Sequence, residues 1–117
     1  MATQFDSGFA SLAFASTVTA NSIVSMTTTD NTAQVATTAG NAIGVLQQDV
    51  VSGSVGFVKL FQNSNFARCA SLVTAGSLVY QAINGQVSTS TAGGAITAGV
   101  VRNAGASGDV IEVFYTR

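Results

Sequence analysis

Few side chains in this 117-residue protein are able to do covalent or acid–base chemistry. Cys69 is the lone thiol, and a thiol nucleophile needs a base or a positive neighbour to ionise it. The chain contains no histidine, so the commonest base and metal ligand is missing. Cys69 also falls inside an alternating β-like run, Phe66–Val73, where a small buried apolar role is expected of it. The five acids are Asp6, Asp30, Asp49, Asp109 and Glu112. They are too scattered to pair as general acid and base or to gather the oxygens of a calcium site. Asp30 and Asp109 sit at predicted turns, where Asp bonds its own backbone. Gly93-Gly94 and Gly105–Gly108 lack phosphate-loop spacing, and no lysine follows either. The reading is therefore no enzyme: no catalytic residue, no cofactor, no metal and no small-molecule substrate.

The elements that remain must be explained by packing and by surface. Only 8% of residues are charged, against about 25% in an ordinary domain. The polar surface must come from 13 Ser, 14 Thr, 7 Asn and 7 Gln. Neutral hydroxyls and amides carry little mutual repulsion and are cheap to desolvate, which favours life in an assembly. The net charge is −1, and Lys59, Arg68, Arg102 and Arg117 are far apart. No basic stripe exists for nucleic acid or for a membrane surface. One cysteine allows no disulfide within the chain, which fits a reducing cytoplasm. The start Met1-Ala2-Thr3-Gln4-Phe5-Asp6 has no positive charge, and no apolar span is long enough to cross a membrane. Neither an export signal nor a transmembrane segment is expected.

The chain repeats itself. Val18-Thr19-Ala20-Asn21-Ser22-Ile23-Val24 returns 55 residues later as Val73-Thr74-Ala75-Gly76-Ser77-Leu78-Val79. Residues 15–62 against 70–117 give 13 identities in 48 ungapped pairs, well above what this composition gives by chance. Asn21 and Gly76, which differ, are both turn formers.

β-branched residues dominate, and short β-leaning runs alternate with Gly, Asn and Ser turns. Strands are predicted over 22–27, 34–38, 42–47, 56–61, 66–73, 78–83, 86–90, 96–102 and 110–116. Asn84-Gly85 is the strongest hairpin signal, because a type I′ turn needs positive φ at both central residues. Ile111, Val113 and Tyr115 should face the core and Glu112 the solvent. The chain has no proline, so edge strands are not blunted by it. Either a closed barrel removes the edges or partner subunits cover them. The fold expected is all-β, a small barrel or sandwich of two duplicated units. Residues 15–117 form one domain, and residues 1–14 are an N-terminal arm or first strand outside the repeat.

The ordered motifs resemble a known family. They are Ala20-Asn21-Ser22-Ile23-Val24, Ala42-Ile43-Gly44-Val45, Ser52-Gly53, Ala75-Gly76-Ser77-Leu78-Val79-Tyr80, Asn84-Gly85, Ala98-Gly99-Val100-Val101 and Ala106-Ser107-Gly108-Asp109. Across residues 17–117 this order resembles bacteriophage capsid cement (decoration) proteins. The resemblance implies a compact β domain on the outside of an icosahedral head, made in the host cytoplasm. It implies a homotrimer that binds the major capsid protein. The segment carrying Phe5, Phe9, Leu12 and Phe14 has no match in that pattern. Four such side chains left in water would forfeit about 1.5–3 kcal/mol each. They are the expected capsid or subunit contact, and the fold is expected to survive removal of residues 1–10. Two other readings are an adhesive or carbohydrate-binding module, such as a fibre tip, and a head–tail joining or tail-tube protein. Against the former, the chain has no Trp and only Tyr80 and Tyr115.

Overall fold

A computed structural model describes residues 9–37, 41–61, 64–91 and 95–115. The described chain is all-β apart from one short 3-10 turn at Ile83–Gly85. The first unit holds β1 (Phe9–Phe14), β2 (Ile23–Met26), β3 (Thr32–Val35), β4 (Ala42–Leu46) and β5 (Val55–Leu60). The second holds β6 (Asn65–Arg68), β7 (Leu78–Gln81), β8 (Val87–Ser88), β9 (Thr97–Val101) and β10 (Val110–Tyr115). The first five strands close into a barrel in the order β1-β3-β2-β4-β5. Its last edge is sealed by a parallel β1–β3 pairing, Ala13 with Thr32 and Phe14 with Ala33. The second five form a sheet in the corresponding order, β6-β10-β9-β7-β8. Among the described residues its outer edges come together at a single bridge, between Cys69 just past β6 and Val87.

The 55-residue period governs backbone geometry as well as sequence. Ile23 pairs with Val45 and Val24 with Gly44, after which the register slips. Leu78 pairs with Val100 and Val79 with Gly99, and the register slips at the same point. The bridge Val18–Val50 returns as Val73–Gly105. Asn21 (φ 66°) and Gly76 (φ 82°) occupy equivalent left-handed turns. Their amides donate to Leu46 O and Val101 O respectively, both at 2.8 Å. Asn and Gly are the residues that tolerate this conformation, which explains the one exchange in the motif that changes chemistry.

The correspondence starts earlier than the sequence match. β1 pairs with β5 as Ala10–Val58, Ser11–Phe57, Leu12–Gly56 and Ala13–Val55. β6 pairs with β10 as Asn65–Val113, Phe66–Glu112, Ala67–Ile111 and Arg68–Val110. Every partner is displaced by 55. Residues 9–14 are thus a structural counterpart of β6 and an integral barrel strand, not an arm outside the repeat. Removing residues 1–10 would cut into that strand. Phe14 and Leu12 point into the barrel with Val18, Val24, Ala33, Leu46, Val50 and Val58.

Two other expectations change in detail. The predicted run 66–73 stops as a strand at Arg68. The Cys69 amide keeps the register one step further by donating to Asp109 O at 2.8 Å, but its carbonyl accepts from Gly108 N at 2.8 Å and the Ala70 amide turns away to Val87 O, so the ladder with β10 ends there. At Asn84-Gly85 both φ angles are positive (61° and 70°), as predicted. The chain there makes a 3-10 turn closed by Ala82 N donating to Gln86 O at 2.8 Å.

The units are welded by strands buried on both faces. In β2 and β4, Val24 and Leu46 face the barrel interior. Ile23 and Val45 face outward and join the second core, with Ala67, Val79, Val101, Ile111 and Val113. Around them Phe61 stacks on Tyr115, ring centroids 4.5 Å apart. Gln81 Nε2 donates to Thr37 O at 3.1 Å. Asn65, buried at the junction, donates through Nδ2 to Lys59 O at 3.2 Å. Gly85 lies so close to β2 that a Cβ on it would stand 2.6 Å from Ile23 O.

Candidate interaction surface

Cys69, Asp49, Asp109, Glu112 and Tyr115 each have a defined place in the packing or the hydrogen bonding. Cys69 is fully buried, and burial, with the Asp109 carboxylate second, pushes its thiol above the usual range. A protonated buried thiol is a poor nucleophile. Asp49 Oδ1 accepts from Ala20 N at 2.7 Å and pins two loops together. Asp109 Oδ2 accepts from Ala106 N at 2.9 Å within its own turn, as predicted. Glu112 accepts from Arg102 at 2.7 Å. Hydrogen bonds from Ser64 and then Arg102 hold its carboxyl below the usual range. The Tyr115 hydroxyl is buried without a partner, and burial pushes its ionisation well above the ordinary tyrosine value. Among the described residues no three of Cys, Asp and Glu group to hold a metal ion. No helix among them is long and apolar enough to cross a membrane. Asp6 lies outside the described residues.

The informative surface is apolar. Of the predicted contact residues, Phe5 lies outside the described residues. Leu12 and Phe14 are buried inside their own barrel, so a neighbour is not needed to cover them. They sit at alternate positions of β1 and share its inward face. Phe9 is 40% exposed on the outer face. Across from β1, the outward positions of β5 are Val55 and Phe57, 60% and 53% exposed. Ser11 pairs with Phe57 and Phe9 with Lys59. Phe9 and Phe57 are therefore diagonal neighbours on one outward face, within reach of each other for aromatic side chains.

Sequence alone gave Phe57 no role, because the 56–61 run is apolar on both faces and does not say which is inward. The second unit supplies the contrast. At the positions of Phe57 and Ser11 it carries Glu112 and Phe66, directly paired. There the charged Arg102–Glu112 pair interrupts the apolar surface. Ile111, Val113 and Tyr115 face the core as predicted, and Glu112 faces outward. A second exposed apolar row runs over the outer face of β7, β9 and β10. It consists of Leu78, paired with Val100, which is paired with Phe114.

No known family model matches this chain, and no curated protein matches it in sequence. Among solved structures it is similar to the head fiber gp8.5 N base of bacteriophage phi29. The two superpose with a TM-score of 0.76 at 14% sequence identity, covering 92% of each chain. At that identity the likeness establishes a shared all-β architecture across nearly the whole of both chains.

Proposed function

We propose that this chain is a structural protein of a bacteriophage particle, bound to the outside of the head through the major capsid protein. The observation that carries the reading is the fold. It is shared over 92% of both chains with a domain described as the base of a phage head fibre. The sequence resemblance to head cement proteins points to the same location by a separate route. The chemistry agrees: Asp49 and Asp109 bond backbone amides, Glu112 pairs with Arg102, Cys69 is core, and the surface is poor in charge with an outward apolar patch at Phe9, Val55 and Phe57.

Cementing and anchoring ask the same of such a surface. A contact of ordinary size removes about 800 Å² per partner. It stabilises only the assembled lattice, because binding to one state shifts the equilibrium toward it. Many copies on one shell multiply the effect.

The test is co-sedimentation of the purified chain with shells assembled from the major capsid protein of the phage that encodes it. Wild type should pellet with shells, and Phe57→Asp should stay in the supernatant while melting at the same temperature. Failure of the wild-type protein to bind such shells would overturn the proposal. Binding by Phe57→Asp equal to wild type would move the contact away from this face.

A further inference from the structure

The duplication leaves one surface without its counterpart. In the first unit, the outward row across β2, β4 and β5 is Ile23, Val45 and Lys59. Ile23 and Val45 are fully buried because the second unit covers them. Displaced by 55, the same row on the second unit is Leu78, Val100 and Phe114. Leu78 and Phe114 are each 45% exposed, and Val100 is half-buried. An outward sheet face that meets only water is expected to be polar. This one is more apolar than its covered counterpart, since Phe114 replaces Lys59.

The molecule also shows what fits such a row. In the first unit one end of the second unit covers it: Ala98 and Tyr115 share a core cluster with Ile23 and Val45, Tyr115 stacks on Phe61, and Gln81 donates to Thr37 O. The same end of the first unit carries Met26, Ile43 and Leu60 at the positions 55 earlier. Met26 is 40% exposed, and Ile43 and Leu60 are partly buried at the margin of the barrel core. One molecule thus displays both halves of the contact that joins its own units.

We propose that copies of this chain associate head to tail: the Leu78–Val100–Phe114 row of one copy docks on the Met26–Ile43–Leu60 end of the next. The contact repeats between molecules the arrangement already made within one. It is heterologous, so copies close into a ring or run on as a filament according to the rotation at each step. The row has no charged residue, so its desolvation is cheap. This proposal rests on self-association and not on shell binding, which co-sedimentation reads separately.

The test uses the full chain and two variants, Leu78→Arg and Met26→Arg. Both positions are exposed, so each variant should melt within a few degrees of wild type. If either does not, Leu78→Ser and Met26→Ser take their place. In sedimentation velocity at micromolar concentration, wild type should be an oligomer and each variant a monomer, with self-affinity weakened about 30-fold or more. The decisive step is mixing. Leu78→Arg keeps a working Met26 end, and Met26→Arg keeps a working Leu78 row. Together they should form a one-to-one complex that grows no further. A monomeric wild type, an oligomer indifferent to both substitutions, or variants that do not pair on mixing would each overturn the proposal.

Discussion

Gly44 and Gly99 offer the sharpest test of the packing argument. Both lie opposite the register slip of the neighbouring strand, at equivalent positions of the two units. A Cβ on Gly44 would stand 2.3 Å from Lys59 O and 2.9 Å from Leu60 Cα. On Gly99 it would stand 2.2 Å from Phe114 O and 2.8 Å from Tyr115 Cα. These neighbours are backbone atoms of a paired strand, so no side chain can swing away. Relief requires β5 or β10 to retreat by roughly 1 Å, since a contact that close is steeply repulsive. A shift of that size takes adjacent ladder hydrogen bonds beyond useful length. Losing two such bonds at about 1 kcal/mol each, with the usual overpacking penalty, gives about 3 kcal/mol or more for either alanine. That is a large share of the 5–15 kcal/mol by which domains are stable. Urea unfolding followed by far-ultraviolet circular dichroism measures it. Gly44→Ala and Gly99→Ala should lower the midpoint by similar amounts. Gly53→Ala is the control: nothing lies within 4 Å, but φ is +86°, so only the left-handed strain of about 1–2 kcal/mol applies. If Gly44→Ala and Gly99→Ala each cost less than the control, the close-approach reasoning fails.

Three further outcomes follow from single residues. Tyr115→Phe removes a buried hydroxyl that has no partner, so it should be neutral or stabilise by up to about 1 kcal/mol in the same unfolding assay. It should also flatten the alkaline loss of stability. The folded tyrosine holds its proton, so its contribution is complete below the ordinary value of about 10 and falls as pH rises above it; melting temperatures across that range decide. At the equivalent left-handed turns, Asn21→Gly and Gly76→Asn should change stability by only a few tenths of a kcal/mol, whereas Gly76→Val should cost about 1–2 kcal/mol by the same unfolding assay. The Glu112 carboxyl is held low by Ser64 and Arg102, so its contribution is present above the ordinary glutamate range and lost as pH falls through it. Glu112→Gln should therefore make the melting temperature less sensitive to acid, and an unchanged acid slope would count against the pair.

Local structure was legible in the chain. Strand positions follow from alternation and β-branched content, so the predicted runs at 22–27, 42–47, 56–61, 96–102 and 110–116 each coincide with an observed strand to within a residue or two. Turns follow from residues that tolerate positive φ, as at Asn21, Gly76 and Asn84-Gly85. The scarcity of charge and the absence of histidine are read directly from composition. Those properties are written in a residue and its near neighbours.

Which face each strand buries, and against what, depends on contacts between distant parts of the chain. β2 and β5 are apolar on both faces, and alternation is silent there. Ile23 is covered only because the second unit lies over it, while its counterpart Leu78 is not. The same holds for β1. None of residues 10–13 matches its counterpart in 65–68, yet the two segments make the same pairings 55 apart. Backbone hydrogen bonds carry that register, and they require no particular side chain, so the duplicated strand left no trace in the sequence. Leu12 and Phe14 are core for that reason, and the exposed apolar positions fell instead to Phe9, Val55 and Phe57 on the opposite face of the same strand pair.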